Sequence, residues 1–127
     1  MKYAFIINPI SGSVNKKALI SQIEAELKQR KLDYQFYYSK YKGHSIELTK
    51  QIMNASAITL IAVGGDGTVN EIGSQLIGSD TPLGLIPLGS GNGLARHLKL
   101  PLQPIKALEV ILEGTTTKID AGKLNEK

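Results

Sequence analysis

The sequence predicts an α/β domain built on a mostly parallel sheet with helices on both faces. Three observations carry that prediction. Short apolar runs alternate with longer amphipathic segments along the chain, the pattern of successive βαβ units. The run Ile58-Thr59-Leu60-Ile61-Ala62-Val63 is almost wholly apolar, as suits a parallel strand covered on both faces. The turns after the apolar runs, at residues 8–13, 39–44, 64–70 and 87–93, are unusual, and the first, third and fourth are rich in Gly, Ser and Asn. In open parallel sheets ligands sit beyond the carboxyl ends of the strands, where those turns fall.

The elements follow in order. Residues 2–8 are a short apolar strand stopped by Pro9. Residues 10–14, with Ser11-Gly12-Ser13, are a turn. Leu19, Ile20, Ile23 and Leu27 recur at helical spacing, so residues 15–31 form an amphipathic helix with Asn15 as its N-cap. The aromatic-rich segment 34–39 is a second strand. Residues 45–53 give a second helix of weaker pattern, and 58–63 the third strand. Val69, Ile72, Gly73 and Leu76 mark a third helix. Residues 83–87 are a fourth strand, residues 105–112 a final helix ended by Gly114, and 115–120 a further strand.

Composition narrows the function. The chain has 127 residues and 42% hydrophobic content, enough for one real core. It has no cysteine, hence no disulfide framework and no Cys-based metal site. No run of apolar residues is long enough to span a bilayer. The first apolar run is too short for a signal peptide and lacks a cleavage site, so a cytoplasmic location is expected. Net charge is +4, but no Lys or Arg occurs between Lys50 and Arg96, where Asp66, Glu71 and Asp80 are the only charges. The basic residues gather at Lys16, Lys17, Lys28, Arg30, Lys31, Lys40 and Lys42, and again at Arg96, Lys99 and Lys106. They read as solvated faces or as a surface near an anionic nucleotide or lipid. They are not interleaved with aromatics and show no nucleic-acid motif, so no nucleic-acid partner is expected.

The chemistry concentrates in Gly64-Gly65-Asp66-Gly67-Thr68-Val69-Asn70-Glu71, which follows the third strand and opens a helix. Glycine admits close backbone approach and positive φ, and a helix N-terminus offers free N–H groups to phosphate. A carboxylate in such a loop would repel phosphate unless it works through a divalent metal or takes a proton from an attacking hydroxyl. The combination points to nucleotide-dependent phosphoryl transfer. It is not a Walker A loop, because no Lys follows a glycine pair. It is not a dinucleotide fingerprint either. The sixth position from Gly65 is Asn70, from Gly89 it is Leu94, and from Gly91 it is Arg96.

Three segments then resemble the signatures of the diacylglycerol kinase catalytic domain family. They are Asn8-Pro9-Ile10-Ser11-Gly12, residues 64–71, and Pro87-Leu88-Gly89-Ser90-Gly91-Asn92. That family includes diacylglycerol kinases, sphingosine kinases and bacterial lipid kinases. Ser39 followed by Gly43-His44, and Leu94-Ala95-Arg96, agree in order and spacing. The glycine loop alone also resembles those of NAD kinases and 6-phosphofructokinases. The resemblance implies a three-layer α/β/α, Rossmann-like domain of the 6-phosphofructokinase and NAD kinase type. It implies ATP and Mg²⁺ as cofactors and a lipid hydroxyl as acceptor, of diacylglycerol or sphingosine type, met at a membrane surface. On this reading residues 1–118 are the nucleotide-binding catalytic domain. Residues 119–127 begin a second, β-rich lipid-binding domain, without which the chain is expected to be inactive; a homodimer is left open. One departure bears on the lipid rather than on the chemistry. Gly93 follows Asn92, and Ser90 stands where Thr is usual, closer to the sphingosine kinase loop. A soluble acceptor, as in NAD kinases, and a nucleotide-binding module without turnover are the alternatives.

The roles follow from residue type and resemblance together. Gly64, Gly65 and Gly67 are expected to bring backbone amides to phosphate oxygens. Asp66 is expected to be catalytic, orienting Mg²⁺ through water or acting as base, with helix capping as its structural alternative. No direct metal ligand is assigned, and a carboxylate outside these residues remains the other candidate base. Thr68 and Asn70 are expected to contact phosphate or ribose. Asn8, Pro9, Ser11, Gly12, Ser39, Gly89, Ser90 and Asn92 are expected to border the nucleotide. Glu71 either pairs across the site or favours the first helical turn by its charge. His44, an isolated histidine, reads as structural or as a support just behind the site, and Arg96 either answers phosphate charge or caps a helix end, with structure favoured.

Overall fold

The computed structural model describes residues 2–9, 16–54, 58–88 and 103–114. Its elements alternate: β1 (Lys2–Ile7), α1 (Lys16–Gln29), β2 (Asp33–Tyr38), α2 (His44–Met53), β3 (Ile58–Gly64), α3 (Asp66–Leu76), β4 (Leu83–Pro87) and α4 (Pro104–Leu112). Each agrees with the element expected there to within a few residues. The expected strand at 115–120, the N-cap at Asn15, the turn at 10–14 and the domain boundary at 118–119 lie outside the described residues.

The four strands form one sheet in the order β2-β1-β3-β4, and every pairing is parallel. Alternation along each strand divides the apolar residues between two faces. Ala4 and Ile6 of β1, Leu60 and Ala62 of β3, and Leu83 and Leu85 of β4 pack with Leu48 and Ile52 of α2 and with Val69, Ile72 and Leu76 of α3. Phe5, Ile7, Ile61, Val63 and Ile86 face the other way, against Leu19, Ile23 and Leu27 of α1 and Ala107, Leu108 and Ile111 of α4. The result is three layers, helix–sheet–helix. Ile23 and Leu27 are fully buried. Side chains of that size each gain about 1.5–3 kcal/mol from burial, which commits the amphipathic face of α1 to the sheet. Gly84 lets α4 sit close: a Cβ there would stand 2.7 Å from Ile111 Cδ1.

The strand order matters for function. From β1 the chain moves to β2 on one side, then returns to place β3 on the other side of β1. The connections after β1 and β3 therefore leave in opposite directions and open a crevice at the carboxyl ends, the place where such sheets bind ligands. No helix among the described residues is long and apolar enough to cross a membrane.

Candidate functional site

The carboxyl ends of the strands are sewn together at one level. Ile7 lies in register with Tyr38 on one side and Val63 on the other, and Gly64 lies in register with Pro87. Beyond them the Ser39 N–H donates to Ile7 O at 3.0 Å, the Asn8 N–H to Val63 O at 3.1 Å, and the Leu88 N–H to Gly64 O at 2.8 Å. Asn8, Ser39 and the β3–α3 junction are thus neighbours, although the sequence separates them widely.

Two side-chain bonds cross the crevice. Asn8 Nδ2 donates to Thr68 Oγ1 at 3.3 Å, linking the end of β1 to the first turn of α3. Ser45 Oγ in the first turn of α2 donates to Glu71 Oε1 on α3. Ser45 is buried, and its carbonyl accepts the Thr49 hydroxyl at 2.7 Å. Glu71 is therefore tied to α2. It lies in the second turn of α3, because the helix starts at Asp66, ahead of the apolar period that marks it in the sequence. That start removes the first-turn role that the sequence leaves open for Glu71.

The glycine loop differs from its expectation in conformation. Gly65 is the N-cap of α3 with φ −91° and ψ −167°, extended backbone open to any residue. Among the described residues, the glycines with positive φ are Gly43, Gly78 and Gly114, none of them in this loop. Gly64 is small for packing: a Cβ there would stand 2.8 Å from Thr68. A Cβ on Gly65 would lie 3.3 Å from Leu88 O, whereas one on Gly67 would meet nothing within 4 Å. Gly67 is the loop glycine whose open side faces the crevice. Asp66 is the first helical residue, so Gly65 holds the capping position considered for it, and no side-chain cap is made. Its charge lies at the positive end of the helix dipole. The first closure of α3 is Val69 N–H to Gly65 O at 3.1 Å. The N–H groups of Asp66, Gly67 and Thr68 precede it and belong to the turn that has no intrahelical acceptors.

A cavity of about 500 Å³ occupies the crevice. Asn8, Pro9 and Ser39 border it from the strand ends, and Gly67, Thr68 and Glu71 from α3. Gly64, Gly65, Asp66 and Asn70 do not line it; they lie at or beside the N-terminus of α3. Ser11, Gly12, Gly89, Ser90 and Asn92, together with Arg96, lie outside the described residues.

The other wall comes from the β2–α2 turn, which contributes Tyr38, Lys40, Tyr41 and Lys42. Lys40 and Lys42 bring positive charge to a site whose glycine loop contains none. The 45 residues between Lys50 and Arg96 hold no cation, yet two lysines from another turn line the same cavity. Backbone amides and a metal need not carry an anionic ligand's charge alone. Tyr41 and Ser45 are residues that motif reading does not single out. The signal for Tyr41 was its position between Ser39 and Gly43-His44 in a turn at a strand's carboxyl end. His44 is held within this turn: its Nδ1 accepts the Lys40 N–H at 2.9 Å and its ring stacks on Tyr41. At the near end of α1, Lys16 Nζ donates to Pro9 O at 2.7 Å. Partial burial there lowers the Lys16 pKa from its ordinary 10.5.

Comparison with known proteins matches this geometry to a family. The family model described as the diacylglycerol kinase catalytic domain matches residues 2–124. A diacylglycerol kinase of Staphylococcus carnosus is 31% identical over 126 residues, covering 96% of this chain and 40% of its own length. One from Staphylococcus aureus is 33% identical, again over 96% of this chain and 39% of its own length. The chain thus spans about 40% of the length of these curated relatives. A solved diacylglycerol kinase structure from Bacillus anthracis superposes with a TM-score of 0.77 at 23% identity, a likeness of fold, over 90% of this chain and 39% of that one. A second structure from that organism gives a TM-score of 0.80 at 25% identity over 90% of this chain and 42% of that one. The family model covers nearly the whole chain and the fold agrees with it, so the chain belongs to the diacylglycerol kinase catalytic domain family.

Proposed function

We propose that this chain is the nucleotide-binding part of an ATP-dependent lipid kinase, which transfers the γ-phosphoryl group to the hydroxyl of a diacylglycerol- or sphingosine-like lipid. The observation that carries the reading is the cavity at the strand-order reversal, with the N-terminus of α3 at its edge and Asn8, Ser39, Thr68 and Glu71 around it. The family match supports a lipid acceptor over a soluble one and turnover over binding alone.

The roles are these. The phosphates run toward the first turn of α3, where the Asp66, Gly67 and Thr68 amides and the helix dipole favour negative charge. Asn8 and Thr68 hold each other and close the floor. Lys40 and Lys42 answer the remaining charge from the β2–α2 turn. Among the described residues no three His, Cys, Asp or Glu side chains cluster around a common point. The donor proposed for Mg²⁺ is the Asp66 carboxylate, acting through water, with phosphate oxygens carrying most of the ion, as it prefers. Bound there, Mg²⁺ would neutralise charge on the transferring group. Asp66 either holds that hydrated ion or receives the acceptor's proton. The lipid is presented at a membrane surface, with a β-rich domain of the full-length enzyme completing the cleft and domain contact excluding water. Self-association through the surface meant for that domain is part of the same proposal.

The test is a titration of MgATP into isotope-labelled chain, followed by amide resonances. Shifts are expected at Asn8, Ser39, Asp66, Gly67 and Thr68. Shifts confined to the amino ends of the strands would sink the proposal.

A further inference from the structure

Tyr41 is 58% exposed. An exposed aromatic side chain normally samples several rotamers, and ordering it costs entropy. This one is fixed on two sides. Its ring stacks on His44 with centroids 4.4 Å apart and planes 11° from parallel. Its hydroxyl donates to the carboxylate of Glu47 one turn along α2. The stacking partner is itself held. The Lys40 N–H donates to His44 Nδ1 at 2.9 Å, and the His44 N–H donates to Tyr41 O at 3.0 Å. Gly43, with φ 86°, supplies the left-handed step that folds this turn back on the helix it caps.

The fold therefore holds a flat aromatic surface in place at a cavity wall, where the apolar core does not require one. Tyr41 lines the same cavity as Gly67 and Glu71. That cavity is lined both by the first turn of α3, which suits phosphate, and by the Tyr41 ring with Lys40 and Lys42. A ligand matching both groups combines an anion with a flat, polarisable ring. That is the chemistry of a nucleoside triphosphate.

We infer that Tyr41 is the nucleobase platform of this site, its ring face opposite His44 stacking on the base while the phosphates run toward α3. The inference rests on the nucleotide reading of the cavity and goes beyond it by assigning the base contact. A ring face stacks on any base and does not read its hydrogen-bonding edge, so the platform contributes affinity for the base without choosing between adenine and guanine. Lys40 and Lys42 strengthen the preference for anionic ligands. His44 contributes by backing the ring, so it positions the platform and touches no ligand.

The experiment measures calorimetric affinities of the 127-residue chain for MgATP and for magnesium triphosphate, which lacks base and sugar. Tyr41→Ala is expected to weaken MgATP by about ten-fold or more, the scale of losing one base stack, and to leave triphosphate unchanged. Tyr41→Leu, which keeps the bulk and loses the aromatic face, is expected to behave as Tyr41→Ala. Tyr41→Phe keeps the ring and is expected to stay near wild type for both ligands. Equal weakening of both ligands in the Ala and Leu variants would show that Tyr41 acts on turn structure or charge, and would overturn the inference. Unchanged MgATP affinity in those variants would overturn it too, while leaving the nucleotide reading intact. A wild-type chain that binds neither ligand would remove the nucleotide reading and the platform together.

Discussion

A Cβ built on Gly64 would stand 2.8 Å from both Cβ and Oγ1 of Thr68, closer than side-chain atoms pack. Gly64 ends β3 and Thr68 lies in the first turn of α3, so this pair sets how closely the helix begins to the strand. Thr68 is in turn the acceptor for Asn8. The loop's first glycine is thus a packing requirement that also fixes one side of the crevice.

Gly64→Ala and Gly67→Ala are expected to part company. The first overpacks a buried junction and is expected to cost about 1–3 kcal/mol in chemical denaturation. The second adds a methyl where nothing lies within 4 Å and replaces glycine inside a helix. It is expected to be neutral or to stabilise by about 0.5–1 kcal/mol, yet to weaken MgATP because the methyl enters the cavity. Equal stability losses in the two variants would contradict this division.

On the proposed lipid kinase function, Asp66→Asn, assayed in a chain that carries the proposed second domain, is expected to leave the fold intact and to lower lipid phosphorylation by about 10²-fold or more. Stability is expected to change little, because Gly65 and not Asp66 is the cap, and Asn keeps the size and hydrogen-bonding shape of the side chain while giving up its charge at the helix N-terminus. The Mg²⁺ dependence separates the two roles. If Asp66 holds the hydrated ion, more Mg²⁺ recovers part of the rate. If it takes the proton, saturating Mg²⁺ recovers none. Turnover near wild type would remove Asp66 from the chemistry.

Two phenols respond to alkaline pH. The Tyr34 hydroxyl donates to Glu24 Oε2 at 2.6 Å, joining β2 to α1, and Tyr41 donates to Glu47. In each, the hydrogen bond to the carboxylate, then partial burial, then repulsion between phenolate and carboxylate raise the pKa above the ordinary 10.0. A folded-state value above the unfolded one means that the stabilisation is complete below about pH 10 and is lost as pH rises through the raised value. The phenolate absorbance of the wild type is expected to include two late-titrating tyrosines. Tyr34→Phe and Tyr41→Phe are each expected to remove one of them. A variant titration missing only an early step would show that the bond does not hold its phenol.

The sequence by itself determined the elements, their parallel pairing class and the segments that gather at one edge. Those follow from local periodicity and from turn residues, as at Leu19, Ile23 and Leu27 or in the near-continuous run from Ile58 to Val63. It also carried the family through the motifs at residues 8–12, 64–71 and 87–92. Contacts between distant segments required the tertiary structure. Strand order brought Asn8 to Thr68, 60 residues away, and packing of α2 on α3 brought Ser45 to Glu71, 26 residues away. The helix start at Asp66 depends on backbone geometry, which the apolar period cannot report before its first buried residue. Lys40 and Lys42 were legible as basic residues of a turn at the ligand edge, but their place on one cavity with the ordered face of Tyr41 was decided by how the β2–α2 turn folds beside α3. Sequence patterns record which face of each element is buried; which groups meet across a crevice is decided by how the layers stack.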